Sequence, residues 1–359
     1  MPTALERARE SFLAFAEEVG RRAPLYRRLA SAIAEDTEIV SILLNAPDTQ
    51  QRPVLLLAAL HDLVLEHPDL PAARHFPSIT PDPDRSDPFP LARAALLDHH
   101  QRITSIVATR HTQTNEVGRC APLLMALQGV EDGRTIGLID IGCSAGLNLN
   151  LDRYAYRLAA SDASWSIDIA AEQTPRLECA IRGSKPTGLA IPAITTRIGL
   201  DARPVDLSNH TEVRWLQACV WPDQVDRLKR LRAAIEVTQT HPVAIEAGDA
   251  VDDLTTAIGR VALTELPVVV NSWALAYLTG AQRREYRRTM EHLGSERDLT
   301  WIHLEAPSDC PELDAPDDPS LSRLTAVMRT DWRSGQRHVR HIGTMHPHGY
   351  WLHVADHQT

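Results

Sequence analysis

The sequence predicts an α/β protein: a mainly parallel sheet with helices on both faces and an antiparallel hairpin at its C-terminal end, preceded by an α-helical domain. Three observations lead there. Residues up to about Gln128 show apolar positions at helical spacing and no convincing strand. From Gly137 onward, short apolar runs closed by Gly, Asp or Asn alternate with helical stretches, the pattern of a parallel sheet with crossover helices. The segment 338–354 reads as two strands around Pro347-His-Gly349.

The elements follow in order. Leu5, Ala8, Phe12 and Phe15 share a helical face, and Leu25, Leu29 and Ile33 resume it after Pro24. Residues 54–65 and 91–108 continue the helical texture. Residues 68–90, rich in Pro and Asp, form a loop or turn-rich crossing. The run Gly137-Leu-Ile-Asp-Ile-Gly142 suits a buried parallel strand. Residues 195–201, 242–246, 266–270 and 299–304 are further strands. Helices are expected over 145–157, 212–237, 252–263 and 281–293. Residues 160–192 fit this alternation poorly, and 165–169 with 176–181 suggest an inserted hairpin. The division expected is a helical N-terminal lid domain at 1–128 and an α/β domain at 129–359, with an insertion at about 160–192.

Composition narrows the function classes. The 359 residues carry a formal charge of −10, which argues against a nucleic-acid groove, because phosphate binding needs a Lys/Arg excess on some face. No apolar run reaches the roughly 18 residues that a membrane helix needs. The start, Met-Pro-Thr-Ala-Leu-Glu-Arg, lacks the basic and apolar regions of a secretory signal. The cysteines, Cys120, Cys143, Cys179, Cys219 and Cys310, are odd in number and widely spaced, as in reduced cytoplasmic chains. A small-molecule substrate and a cytoplasmic location are the expectations.

The most informative segment is Leu138-Ile-Asp140-Ile-Gly142-Cys-Ser144-Ala-Gly146-Leu-Asn148. An acid near a strand end is followed by small residues, which let the backbone turn tightly and let a ligand approach its peptide groups. Several readings compete. A dinucleotide loop requires Gly-x-Gly-x-x-Gly, which is absent. Gly142-Cys-Ser144-Ala-Gly146 formally matches a nucleophile elbow, with Asp249 and His303 following in the order a hydrolase needs. That fold also requires strands and an oxyanion loop before the serine, where this chain reads as helical. An ordinary tight connection without ligand is the plainest alternative. A fourth reading is an S-adenosylmethionine loop: the segment resembles motif I of class I methyltransferases, with Ser144 in place of the middle glycine, and is similar to the turn of plant carboxyl methyltransferases.

That resemblance extends to three later segments in the expected order. Ile198-Gly-Leu-Asp201 looks like the second strand of these enzymes, whose terminal acid binds the ribose hydroxyls; a carboxylate can accept from both. Gly248-Asp249-Ala250 looks like the turn after the third strand, which meets the adenine. Val268-Val-Val-Asn271-Ser-Trp273-Ala-Leu-Ala-Tyr277 resembles the fourth strand and its exit. The resemblance implies a Rossmann-like, methyltransferase-type sheet with S-adenosylmethionine as cofactor. Asp140, Gly142, Ser144, Gly146, Asp201, Asp249, Ala250 and Asn271 would then bind cofactor. Trp273 and Tyr277 would wall the substrate. The distance from Gly142 to Asp201 far exceeds the usual spacing of about 20 residues, so Asp168 and Glu178 are rivals for the ribose.

The whole chain resembles an uncharacterised bacterial family, domain of unknown function 2332. The resemblance rests on Thr112-Gln-Thr-Asn115-Glu116-Val-Gly-Arg119, Gly142-Cys-Ser-Ala-Gly-Leu-Asn-Leu-Asn-Leu-Asp152-Arg153-Tyr154, Gly199-Leu-Asp-Ala-Arg-Pro204, Trp215-Leu-Gln-Ala-Cys-Val-Trp221-Pro222 and Gly248-Asp249-Ala250. In the first block, Arg119 can pair with a substrate carboxylate, and Glu116 can serve as base or amine acceptor; an interdomain Glu–Arg pair is the structural alternative. Trp215 and Trp221 share a helical stretch and are expected to pack between domains. Among sixteen histidines no metal-ligand spacing stands out, although His346 and His348 would point the same way on a hairpin. His303, near a strand end, is placed to take a substrate proton. No metal is expected. A hydrolase and a non-catalytic nucleoside-binding module remain the alternatives to methyl transfer.

Overall fold

The computed structural model describes residues 2–316 and 318–355. Contacts divide the chain into two units, Met1–Thr114 with Asp206–Arg232, and Asn115–Val205 with Ala233–Thr359.

The first unit is helical. It contains α1 (Ala4–Val19), α2 (Pro24–Ala34), α3 (Thr37–Leu43), α4 (Pro53–Glu66), α5 (Phe89–Asp98) and α6 (His100–Thr109). Thr3 and Glu6 close a capping box on α1, each side chain accepting from the other's backbone N–H, at 3.2 and 2.6 Å. α4 is apolar on every side and buried from Leu55 to Leu60, as a central helix must be. The next helix, α7 (Cys120–Leu127), belongs to the other unit, whereas α8 (His210–Ala218) returns to pack on α4.

A single cut at 128 is therefore not where contacts divide the chain. The expected helix over 212–237 is two helices, α8 and α9 (Val225–Thr240), broken around Pro222. Trp215 and Trp221 pack inside the helical unit: Trp215 is buried, and the Trp221 ring lies 5.7 Å from Phe15 and 6.2 Å from Tyr26. Between them and α9, Asp223 accepts from the Leu25 and Tyr26 N–H groups at 2.9 and 3.4 Å, capping α2 from a distant part of the chain.

The second unit is built on one eleven-stranded sheet. Its strands are β1 (Ile136–Ile141), β2 (Ala155–Ala160), β3 (Ser166–Ile169), β4 (Arg176–Arg182), β5 (Ile194–Asp201), β6 (Ala244–Ala247), β7 (Leu266–Ser272), β8 (Leu299–Glu305), β9 (Thr325–Arg333), β10 (Gln336–Met345) and β11 (Trp351–Val354). The spatial order is β3-β2-β4-β11-β10-β9-β8-β7-β1-β5-β6. Strands β6, β5, β1, β7 and β8 run parallel; β9 is antiparallel to β8. α10 (Leu254–Gly259) and α11 (Gly280–Glu296) pack together, and α11 also packs on β8 and β9. β1, β7 and β8 are covered on both faces except at Ser272, which is why they read as nearly continuous apolar runs.

The C-terminal hairpin is present as β10 and β11. Residues 160–192 depart from expectation: β3 pairs with β2 rather than β4, and β4 runs parallel to both β2 and β11. The segment after Gly146 also departs. No regular helix covers 145–157; a 3-10 stretch, Leu147–Arg153, kinks at Asn150 and leads into β2. Side chains also bond to its carbonyls: Tyr154 Oη donates to Leu147 O at 2.6 Å, Arg197 to Leu149 O, and Tyr156 to Leu151 O. Among the described residues no helix is long and apolar enough to cross a membrane.

Candidate functional site at the strand ends

β1 lies between β5 and β7, and the chain proceeds to β5 and β6 on one side and to β7 and β8 on the other. The carboxyl end of β1 is thus a topological switch point, where loops diverge and a ligand finds room in open α/β sheets. The glycine turn sits there. Gly142, Ser144 and Gly146 all adopt left-handed φ angles, 81°, 53° and 68°. A Cβ on Gly142 would lie 2.4 Å from the Ala274 Cβ, so the turn after β1 presses directly on the turn after β7. Ser144, which has a side chain, holds this conformation at a cost of about 1–3 kcal/mol. Its N–H donates to Asp201 Oδ2 at 2.7 Å, while Asp201 Oδ1 accepts from Arg203 N at 2.8 Å. Asp201 is therefore the acid that touches the turn. Asp168 pairs with Arg176 at the other edge of the sheet, and Glu178 is exposed on β4.

Asp140 is 2% exposed. Paired with Val270 across β1 and β7, it points to the opposite face from Asn271. Asn148 donates to it, but Oδ2 has no hydrogen-bond partner. Burial, and then the Asp201 charge, push its carboxyl up to about 7. The nearby guanidinium of Arg119 opposes that shift. Arg119 Nε donates to Pro347 O at 2.8 Å, and Nη1 to Ser272 O at 2.9 Å, with its carbon 5.9 Å from the Trp273 ring centre. These contacts clamp the β10–β11 turn to the end of β7. Glu116 serves the same corner: Oε1 accepts from Gly118 N at 3.0 Å, and Oε2 lies 3.9 Å from His348 Nδ1.

The exit of β7 is equally constrained. Trp273 has φ 56°, donates its backbone N–H to Leu304 O at 3.0 Å and its indole N–H to Thr325 Oγ1 at 3.1 Å. Glu305 Oε1 accepts from both Ala274 N and Leu275 N, at 2.8 and 3.0 Å. Burial pushes this carboxyl up to about 7. Asn271 bonds at both ends of its amide: Oδ1 accepts from Trp301 Nε1 at 2.7 Å and Tyr286 Oη at 3.0 Å, and Nδ2 donates to Ile141 O at 3.3 Å. It ties β1 to β7 and to α11. Tyr277 is 78% exposed on a 3-10 turn, Leu275–Tyr277.

His303 lies elsewhere. It pairs with Asn271 across β7 and β8 and so shares the face that Tyr286 of α11 covers. It is buried against Trp301, 5.0 Å between ring centres, and neither ring nitrogen has a hydrogen-bond partner. Burial pushes its pKa down to about 3, so the ring is neutral. It bonds neither Ser144 nor Asp249. Asp249 is exposed after β6, where Oδ1 accepts from Val251 N at 2.7 Å and Asp252 N at 3.2 Å, shaping the turn that carries Ala250. The switch point thus brings together Asp140, Gly142, Ser144, Asp201, Arg119 and Trp273, and leaves His303 behind the sheet.

Sequence reasoning missed Glu305 and Asn148. Glu305 was within reach, being the next residue on the His303 face of β8 by the two-residue period. Among the described residues, no group of three or more His, Cys, Asp or Glu is arranged to hold a metal ion.

Fold and site define an α/β protein whose polar groups converge on the carboxyl ends of a parallel sheet. The chain belongs to the family described as an uncharacterized protein conserved in bacteria (DUF2332), whose model matches residues 9–353. No curated protein matches it.

Proposed function

We propose that the α/β unit binds S-adenosylmethionine and transfers its methyl group to a small-molecule acceptor. The observation that supports this best is the spatial succession of acids at neighbouring strand ends, Asp140 on β1, Asp201 on β5 and Asp249 after β6, around a turn of left-handed residues. The parallel order β6-β5-β1-β7-β8 is the doubly wound arrangement in which nucleotide ligands sit at the switch point. Along the chain, β1, β5, β6 and β7 carry the segments that the resemblance to class I methyltransferases assigned to the first four strands.

The residues fit such a ligand. Asp140 Oδ2 is buried and unpartnered, which suits an ammonium group. Each Asp201 oxygen accepts one backbone N–H, and a carboxylate oxygen has capacity for a second donor, such as a ribose hydroxyl. Ala250, on the turn that Asp249 shapes, would meet the edge of the base. When bound, the cofactor supplies an electrophilic methyl group. The protein's own task is alignment: the touching turns after β1 and β7 fix the floor, and Trp273 fixes the acceptor wall. His303, sealed under α11, takes no part.

The serine-hydrolase reading loses support because His303 makes no bond to Ser144. Isothermal titration with S-adenosylhomocysteine and mass spectrometry of ligand released from the purified protein test the proposal. We expect binding that Asp201→Ala abolishes. No binding, together with labelling of Ser144 by a fluorophosphonate, would overturn it in favour of the hydrolase.

A further inference from the structure

The unpartnered oxygen of Asp140 has a consequence for how the site takes its ligand. The carboxyl is enclosed by groups from several elements. From β5 comes the negative charge of Asp201. From the turn at Val117–Arg119 comes Arg119, which donates to Pro347 and Ser272. The 3-10 stretch contributes Asn148, which donates to Asp140 and whose Oδ1 accepts from Cys120 Sγ at 3.2 Å. Cys120 of α7, Cys143 of the glycine turn and Tyr286 of α11 are neutral groups that feel the Asp140 charge. A buried carboxylate with one oxygen lacking a donor, next to a second carboxylate, is expensive to ionise. A proton removes that cost, and so does a cation brought in by a ligand.

We propose that Asp140 holds a proton until a cationic ligand group displaces it, so that an amino-acid-bearing nucleoside binds with proton release while a neutral nucleoside does not. The inference rests on the cofactor reading of the site and adds to it a selectivity and a pH dependence. The sign follows from competition. Below the carboxyl's pKa of about 7 the ligand must expel the proton, so affinity for the cationic ligand rises with pH and levels off above that value. Between pH 6 and pH 8 the gain is about tenfold. A neutral ligand competes with no proton, and its affinity stays flat.

Titration calorimetry with two probes tests this. S-adenosylhomocysteine carries an ammonium group; 5′-methylthioadenosine keeps the nucleoside and thioether without it. The homocysteine adduct should bind about ten times more tightly at pH 8 than at pH 6, and its heat at pH 6 should depend on the buffer's ionisation enthalpy with close to one proton released. Methylthioadenosine should show neither effect. In Asp140→Asn the pH dependence and the proton release should disappear, while binding of methylthioadenosine persists. The variant also separates Asp140 from Glu305, a carboxyl that burial likewise pushes up to about 7. Equal pH profiles for the two probes, or proton release retained in Asp140→Asn, would refute the inference while leaving the cofactor reading intact. Failure of both probes to bind the wild-type protein would overturn the reading and the inference together.

Discussion

Gly142→Ala probes the contact on which the site is built. Two costs add at this position. The backbone stands at φ 81°, where an L side chain loses about 1–2 kcal/mol. The new Cβ would sit 2.4 Å from the Ala274 Cβ, and carbon atoms rest at about 3.5–4.0 Å, so one of the two turns must shift. Overpacking of this kind costs about 1–3 kcal/mol, and a Cβ, unlike a flexible side-chain tip, cannot swing aside. The expected loss is about 2–5 kcal/mol in all, or roughly 2–4 °C of melting temperature per kcal/mol for a unit of this size. Gly129→Ala is the control. Its φ is 67°, with nothing within 4 Å of an added Cβ, so it carries the backbone cost alone. Urea denaturation followed by tryptophan fluorescence measures both variants. Ala274→Gly in the Gly142→Ala background should restore at least about 1 kcal/mol, because it removes the colliding atom, and neighbouring residues couple in this range. If Gly142→Ala costs no more than Gly129→Ala, or if the two changes simply add, the turns after β1 and β7 do not press on one another.

Other expectations concern titration and capping. His61 is buried in the helical unit, bonded to Ala218 O at 3.1 Å and Ser78 Oγ at 2.8 Å, and burial pushes its pKa down to about 4. A histidine depressed below its unfolded value contributes stability above pH 6.5 that is lost as pH falls towards 4. Chemical denaturation at pH 5 should therefore show a loss of about 2 kcal/mol relative to pH 7, and His61→Gln should remove this dependence. Glu305 shifts the other way: with its folded pKa raised to about 7, its contribution is greatest at low pH and declines as pH rises from about 4.5 to 7. Glu305→Gln keeps an acceptor for Ala274 N and Leu275 N and should lessen that slope by up to about 1.4 kcal/mol per pH unit; an unchanged slope would show that Glu305 does not hold the proton. Asp223→Ala should destabilise the helical unit by about 1 kcal/mol through loss of the α2 cap, and hydrogen exchange at Leu25 and Tyr26 should rise first.

What the sequence made legible depended on how each residue is satisfied. β7 and β8 were readable because almost every position is buried in apolar contact. β9 was not: Arg329, Thr330 and Asp331 are buried in it, with Arg329 Nε 2.8 Å from Asp331 Oδ2 and Thr300 Oγ1 2.8 Å from Asp331 Oδ1. Charges that neutralise each other inside a protein look like surface in a linear reading. The first residues of β2, 155–157, were read into a helix that does not form: the segment before them is a 3-10 stretch whose carbonyls bond to Tyr154, Tyr156 and, from 48 residues away, Arg197. At the site, the glycine turn and Asp201 were visible as a motif and a strand-terminal acid. The job of Arg119 was hidden, since its partners Ser272 and Pro347 lie 153 and 228 residues away. His303 had the right place along its strand but the wrong face.

The position of β11 in the sheet bears on the order in which the protein can be made. Residues 351–353 pair with 180–182 of β4, and β4 alone connects β2 and β3 to the remaining strands. Until the ribosome has released β11, the three strands made from residues 155–182 have no place in the sheet, and the edge of β4 stays open to wrong partners. So non-local a closure predicts slow folding and a nascent chain that relies on chaperones to shield that edge.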